Sequence, residues 1–314
     1  MYDIIPDIHG QLEKLTGALK ALGYSNTRGA WRHPDSNRRC IFLGDYIDRG
    51  PENAAVIRIV RDMVEAGTAF AIMGNHELNA IHFHTHHPES GLPLRNRLEK
   101  NLNQHGAFLK EFALGSPEAG DAIAWMKTLP LFLEFDDFRV VHACWDEAHI
   151  DDLRVLTKEG RLSEDQFVQA ATKGGELFQR VETVTKGPEL ALPEGYSITD
   201  KDGTIRHDIR LQWWKQKGAR WSDIAISVPD LSQLPQTAAP DAVLASSYSP
   251  AAKPVFCGHY WLSGAPVLQA PNVLCLDYSA GRDGPLVTYS IEPGTDRLTP
   301  EAIKVHMPHA NLRA

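Results

Sequence analysis

Cys40-Ile41-Phe42-Leu43-Gly44-Asp45-Tyr46-Ile47-Asp48-Arg49-Gly50 is the stretch that decides how this chain reads. Its four leading apolar residues run without interruption, which suits a short strand buried on both faces. The run stops at Gly44, and Asp45, Asp48 and Arg49 follow at once. A buried strand that opens into a polar loop is how α/β enzymes place their chemistry, at the carboxyl ends of strands.

The same layout recurs on either side. Tyr2-Asp3-Ile4-Ile5 reads as a strand running into Asp7-Ile8-His9-Gly10, and Phe70-Ala71-Ile72-Met73 as another ending at Gly74-Asn75-His76-Glu77. Residues 11–22 carry Leu12, Leu15, Leu19 and Leu22 at helical spacing, with Gly23 where a helix would stop. Residues 52–66 read as a second helix. Alternating strands and helices predict an α/β fold, and neighbouring strands would merge three dispersed polar clusters into one site. Further strands are expected at 138–142, 255–257, 273–276 and 286–289. Residues 78–130 read as a largely helical insertion over the site. Residues 150–250 read as a second insertion, polar, partly helical, and rich in Pro and Ala near 229–252. A single domain over 1–314 is expected.

Composition narrows the function. The chain is 43% apolar and 23% charged over 314 residues, enough to bury a substantial core. A net charge of −8 argues against general nucleic-acid binding, which needs a basic face. A small phosphorylated substrate stays open, because embedded cations can supply positive charge locally. Cys40, Cys144, Cys257 and Cys275 form no CxxC pair, so a reducing compartment is expected. The N-terminus lacks a basic, apolar leader and no window is long and apolar enough to span a bilayer. The cytoplasm is therefore the expected location, with no membrane partner.

The polar clusters hold the donor types that a pair of divalent metals needs. Asp7 and His9 are two residues apart, so both can face one metal if the segment stays extended. Asp45 is the natural bridging carboxylate, and Asn75 is a neutral oxygen donor. His142 and His259 each end a later apolar run. Gly10, Gly44, Gly74 and Gly258 allow tight turns and close backbone approach.

In this order, D-x-H-G, G-D-x-x-D-R-G, G-N-H-E, a strand-end His and a final G-H, the chain resembles the calcineurin-like metallophosphoesterases. The spellings DIHGQ and GDYIDRGP resemble the branch of serine/threonine protein phosphatases and symmetrical diadenosine tetraphosphate hydrolases. That resemblance implies a four-layer α-β-β-α sandwich of two mixed sheets with a partly helical insertion over the active site. It implies Asp7, His9 and Asp45 on a first metal, and Asp45, Asn75, His142 and His259 on a second. Asp48 and His76 match an acid pair in which His protonates the leaving oxygen and Asp orients it. Arg49 matches a phosphate clamp. The second phosphate-binding Arg would be Arg210, with Arg206 the other candidate. The implied cofactors are two divalent ions, manganese first, with iron and zinc also compatible. The implied reaction is direct attack on phosphorus by a hydroxide bridging the metals. The roles make physical sense: metals activate water, a guanidinium neutralises transition-state charge, and an alkoxide needs a proton.

Some residues depart from the pattern. Pro6 precedes the first Asp, Met73 precedes GNHE, and Ala-Cys-Trp follows His142. Tyr260 follows His259 with no second His two residues on, so the first metal site is expected to be the more water-rich. These features point away from the eukaryotic-type protein phosphatases, and the tail 272–281 resembles the closing hairpin of bacterial members. The substrate is either a phosphoprotein or a phosphorylated small molecule such as a dinucleoside polyphosphate or nucleotide. A non-catalytic scaffold is the other class; it is disfavoured because every metal donor and the His of GNHE are present. His82, His84, His86 and His87 are read as a solvated loop near the site mouth rather than an extra metal site. Cys144 and Cys257 are read as small buried hydrophobes rather than oxidation-sensitive thiols beside the metals. Trp213 and Trp214 are read as packing rather than a base-stacking platform.

Overall fold

Strand Tyr2–Ile5 alternates its side chains, so Ile4 faces one layer and Ile5 the other, and both are fully buried. It pairs in parallel with Arg39–Phe42, which pairs in parallel with Ala69–Ala71. On its other side it pairs antiparallel with Leu286–Ile291, and the edge strand Ile303–His306 completes a five-stranded mixed sheet. The three strands expected to be neighbours are neighbours. Their carboxyl ends therefore open on one edge, carrying Asp7, Asp45 and Asn75. The computed structural model describes residues 1–200, 203–215, 220–240 and 247–307.

A second mixed sheet, of four strands, is ordered Val273–Cys275, Val255–Cys257, Arg139–Val141, Phe132–Glu134. Its first three strands run parallel, so His142 and His259 leave it from the same edge. Ile4, Ile41, Leu43 and Ile72 from the first sheet cluster with Val140, Phe256, Leu274 and Leu276 from the second. The two sheets thus share one apolar layer. Helices Leu12–Ala21 and Asn53–Glu65 cover the other face of the first sheet, burying Leu15, Leu19, Val56 and Val60 against Ile5 and Phe42. The fold is mixed α/β, as expected. No helix among the described residues is long and apolar enough to cross a membrane.

Several expectations need correction. The third strand runs only Ala69–Ala71, although Ile72 N–H still bonds to Phe42 O at 3.0 Å, and a helix starts at Asn75. That helix runs to His84, so His82 is buried and His84 half-buried rather than in a solvated loop. Only His86 is exposed in that stretch, and His87 is half-buried. The segment 272–281 is no hairpin: Val273–Cys275 runs parallel to Val255–Cys257. Small strands also appear between residues 150 and 250, where Glu189–Ala191, Asp208–Leu211 and Ala225–Ile226 form a sheet. They are short and half-exposed, so they leave little apolar periodicity to read. Part of the Pro- and Ala-rich stretch, residues 241–246, lies outside the described residues. Trp213 and Trp214 are buried and pack edge to face, consistent with packing.

Candidate active site

Asp45 stands at the meeting point of the two sheets' carboxyl edges. Its Oδ2 lies 3.6 Å from His9 Nε2 and its Oδ1 lies 3.4 Å from His142 Nε2. Each oxygen of one carboxylate therefore faces a different histidine. Two overlapping groups around it can hold a cation: His9, Asp45 and His76, and Asp45, His142 and His259. Asn75 joins the second group, its Oδ1 3.1 Å from His142 Nε2 and 2.8 Å from His259 Nδ1. The Asp7 carboxylate accepts the His259 backbone N–H at 3.1 Å and 3.2 Å, which ties the first strand's loop to the second sheet. The first group thus includes His76, which the sequence assigned to acid catalysis instead.

The backbone here is held in an unusual state. His9, Asp45, Asp48, Arg49, His259 and Trp261 all have φ between 50° and 71°. Non-glycine residues avoid that left-handed region, at about 1–3 kcal/mol each, and such strain concentrates where surroundings over-determine it. His9 therefore reaches Asp45 through a tight turn, so the extended condition on which Asp7 and His9 could share one face does not hold. Glycines make room for the turns. A Cβ on Gly258 would collide with the Asp7 carboxylate, and one on Gly44 would collide with the Gly74 backbone.

Backbone carbonyls orient two of the imidazoles. His9 Nδ1–H donates to Ile47 O at 2.8 Å, and His142 Nδ1–H to Leu43 O at 2.7 Å. Each Nε2 is thereby turned toward Asp45. The Nε2 atoms of His9 and His259 are buried without any hydrogen-bond partner. Orphaned buried nitrogens beside carboxylates are what a cation would satisfy. The charges agree. Burial, then Asp277 and Asp45, push the Asp7 carboxyl well above its ordinary value. Burial also opposes ionisation of Asp45, but His142 and His76 hold it well below the usual range. Burial, reinforced by His76, pushes His9 down to about 3. His142 goes the other way: burial would lower it, yet the Asp45 carboxylate pushes it up to about 10. His142 thus carries the positive charge that the buried Asp45 carboxylate demands, while burial keeps His9 and His259 neutral.

Glu77 builds the frame. Its carboxylate accepts backbone N–H groups from Asp45 and Tyr46 at 2.8 Å each and from Gly74 at 2.9 Å. It is fully buried, and burial with the Asp45 charge raises it to about 7. The Asp45 loop and the Gly74 loop are thus clasped by one side chain. Glu77→Ala leaves three donors unsatisfied and should cost about 3 kcal/mol or more. Urea denaturation of the metal-free protein would measure it, and a change under about 1 kcal/mol would rule the clasp out.

Beside the cation-competent groups sits a hydrogen-bonded histidine–aspartate pair. His76 Nδ1 lies 2.6 Å from Asp48 Oδ2, both buried. Arg49 stacks on Trp261, its guanidinium carbon 3.8 Å from the ring centroid. Asp277 in turn accepts the Trp261 backbone N–H at 2.7 Å. Arg49, Arg206 and Arg210 line one cavity of about 350 Å³ together with Trp261, Glu189, Asp208 and Ile226. Arg206 is bonded to Asp200 at 3.0 Å, whereas Arg210 is close enough to help depress His259, after burial. The burial-raised thiol of Cys144 and the fully buried Cys257 fit small hydrophobes.

Sequence reasoning missed Glu77, His105, Trp261 and Asp277. Glu77 sits inside a quoted motif but carried no role. His105 lies in the helical insertion, yet its Nδ1 is 2.8 Å from Asp48 Oδ1. Nothing in Asn103-Gln104-His105-Gly106 marks it.

A family model described as calcineurin-like phosphoesterase matches residues 2–260. The chain belongs to that family. That family implies a dinuclear divalent metal centre, and each of the two donor groups around Asp45 could hold a cation. A stretch of 75 residues is 45% identical to bis(5'-nucleosyl)-tetraphosphatase PrpE (asymmetrical) of Halalkalibacterium halodurans, covering 24% of this chain and 30% of that protein. The same enzyme of Bacillus subtilis is 41% identical over 75 residues, with the same coverage. The chain thus spans about 30% of the length of these curated relatives. Among solved structures, a protein serine/threonine phosphatase from Saccharomyces cerevisiae overlays with a TM-score of 0.48 at 13% identity, covering 98% of this chain and 79% of that one. A cold-active protein-tyrosine phosphatase of a psychrophilic Shewanella overlays with a TM-score of 0.45 at 14% identity, covering 92% and 75%. Overlaps this loose leave the family to the motifs and the family model.

Proposed function

We propose that this calcineurin-like phosphoesterase hydrolyses a phosphorylated small molecule at a dinuclear centre held by Asp7, His9, Asp45, Asn75, His142 and His259. One observation carries the reading: the two oxygens of Asp45 face separate histidines, as a carboxylate shared by two cations would. The metals, when bound, supply Lewis acidity and lower the pKa of the attacking water. Manganese is the first choice, and the mixed nitrogen and oxygen donors also accept iron or zinc.

The chain's own residues do the rest. Asp48 accepts from His76 Nδ1–H and so aims Nε2 toward the metal-facing side, where it can protonate a leaving oxygen. Arg49, held flat on Trp261, presents its guanidinium to phosphate oxygens. Arg210 enters the same cavity from the second insertion as the second phosphate contact. The strands of that insertion help to line the cavity, and about 350 Å³ suits a compact leaving group better than a polypeptide. The partial likeness to dinucleoside tetraphosphatases favours nucleotides and dinucleoside polyphosphates over phosphoproteins.

The manganese-loaded protein should release phosphate from p-nitrophenyl phosphate, and EDTA should abolish the activity until metal is restored. Activity that persists after full chelation would sink the metal reading. A panel of dinucleoside polyphosphates, nucleotides and phosphopeptides then separates the substrates. Higher kcat/KM on phosphopeptides would overturn the small-molecule assignment.

A further inference from the structure

Asp48 serves two histidines, not one. Its Oδ2 meets His76 Nδ1 at 2.6 Å and its Oδ1 meets His105 Nδ1 at 2.8 Å. All three residues are buried, at 2%, 3% and 5% exposure, so water does not compete for either oxygen. The chain of contacts continues outward: His105 Nε2 lies 3.1 Å from His84 Nε2. The His105 ring is clamped flat against Phe108, with centroids 4.6 Å apart, and leans on Phe83. Arg95, Asn79 and Gln104 close the small space beside it.

We propose that His105 is a positioning residue for the general acid, acting on His76 through Asp48. The inference rests on the reading of His76 and Asp48 as the acid pair. A carboxylate with one oxygen on His76 and the other free would turn about its Cβ–Cγ bond and let the imidazole swing. With both oxygens engaged by rings that are themselves packed, the carboxylate is fixed and His76 Nε2 is aimed. Proton accounting agrees. Burial would raise Asp48, but the hydrogen bonds from His105 and His76 hold it down to about 2, so it is ionised and can only accept. Both facing Nδ1 atoms must therefore carry protons. Burial, then the neighbouring His105, hold His84 down to about 4, so it is neutral and one proton is shared across the Nε2–Nε2 contact. In either sharing, His105 donates from Nδ1.

The test compares leaving groups. General-acid assistance matters little for 2,4-dinitrophenyl phosphate and strongly for an alkyl phosphate. In the manganese-loaded enzyme, H105F keeps the stacking on Phe108 but deletes the donor. Its loss in kcat should widen from under about twofold on the dinitrophenyl ester to about 10–100-fold on the alkyl ester. H105N places an amide N–H near the former Nδ1 and should recover much of the alkyl rate. Equal losses on both esters, or none on either, would overturn the proposal. Imidazole nitrogen NMR of the zinc-loaded wild type needs no variant: a proton on His105 Nδ1 supports it, and a bare Nδ1 overturns it even if H105F fails to fold. His76→Ala is the control. If that variant shows leaving-group dependence and H105F does not, only the His105 role falls; if neither does, the acid pair falls with it.

Discussion

Asp45→Asn should leave the protein folded and close to inactive, with fewer than two metals bound per chain. Asn is the right replacement because it keeps the size of the side chain and tolerates the left-handed backbone, φ 53°, that Asp45 adopts. The amide oxygen can still accept the His76 backbone N–H that Asp45 Oδ1 accepts at 2.9 Å. It cannot present two anionic oxygens, one toward His9 and one toward His142. Losing a shared carboxylate removes several kcal/mol of charge stabilisation, so kcat should fall by about 10³-fold or more at saturating metal. Metal content by elemental analysis and kcat on p-nitrophenyl phosphate check both halves. A variant that still holds two metals would exclude the bridging role. A variant that holds none and also unfolds would show that Asp45 serves the frame clasped by Glu77 as much as the metals.

His76→Ala should separate binding from chemistry. The variant should keep its metals and lose about 10²–10⁴-fold in kcat on an alkyl phosphate, with a far smaller loss on a dinitrophenyl ester. The geometry offers a sharp alternative. His76 Nε2 lies 4.0 Å from Asp45 Oδ2 and belongs to one of the two cation-competent groups. If His76 were a ligand, the substitution would strip that site and lower activity on every substrate alike. Uniform loss with reduced metal content would move His76 into the ligand set, leaving Asp48 to orient a ligand rather than an acid.

Much of this was legible because the motifs are local. A strand that ends in Gly-Asp or Gly-Asn-His places its polar residues within a few residues of its last buried one, whatever the rest of the chain does. Asp7, Asp45, Asn75, His142 and His259 were all read as candidate metal donors from their places at strand ends. The calcineurin-like family follows from their order. Residues that act through space left no such mark. Glu77 reaches the Asp45 loop across 32 residues of sequence, and His105 reaches Asp48 across 57. His82 and His84 read as a polar run, yet the helix that starts at Asn75 carries them inward.

The sequence by itself determined the family, the alternation of strands and helices, and which residue types stand at each strand end. It could do so because buried strands and their terminal loops are specified by adjacent residues. The tertiary structure decided how those ends meet. It brought the edges of two sheets together so that one carboxylate, Asp45, faces histidines from both. It also turned His9 by a left-handed bend that its spacing to Asp7 does not reveal, and it set a second imidazole behind Asp48. Those outcomes depend on packing between segments far apart in the chain, where periodicity and spacing carry no information.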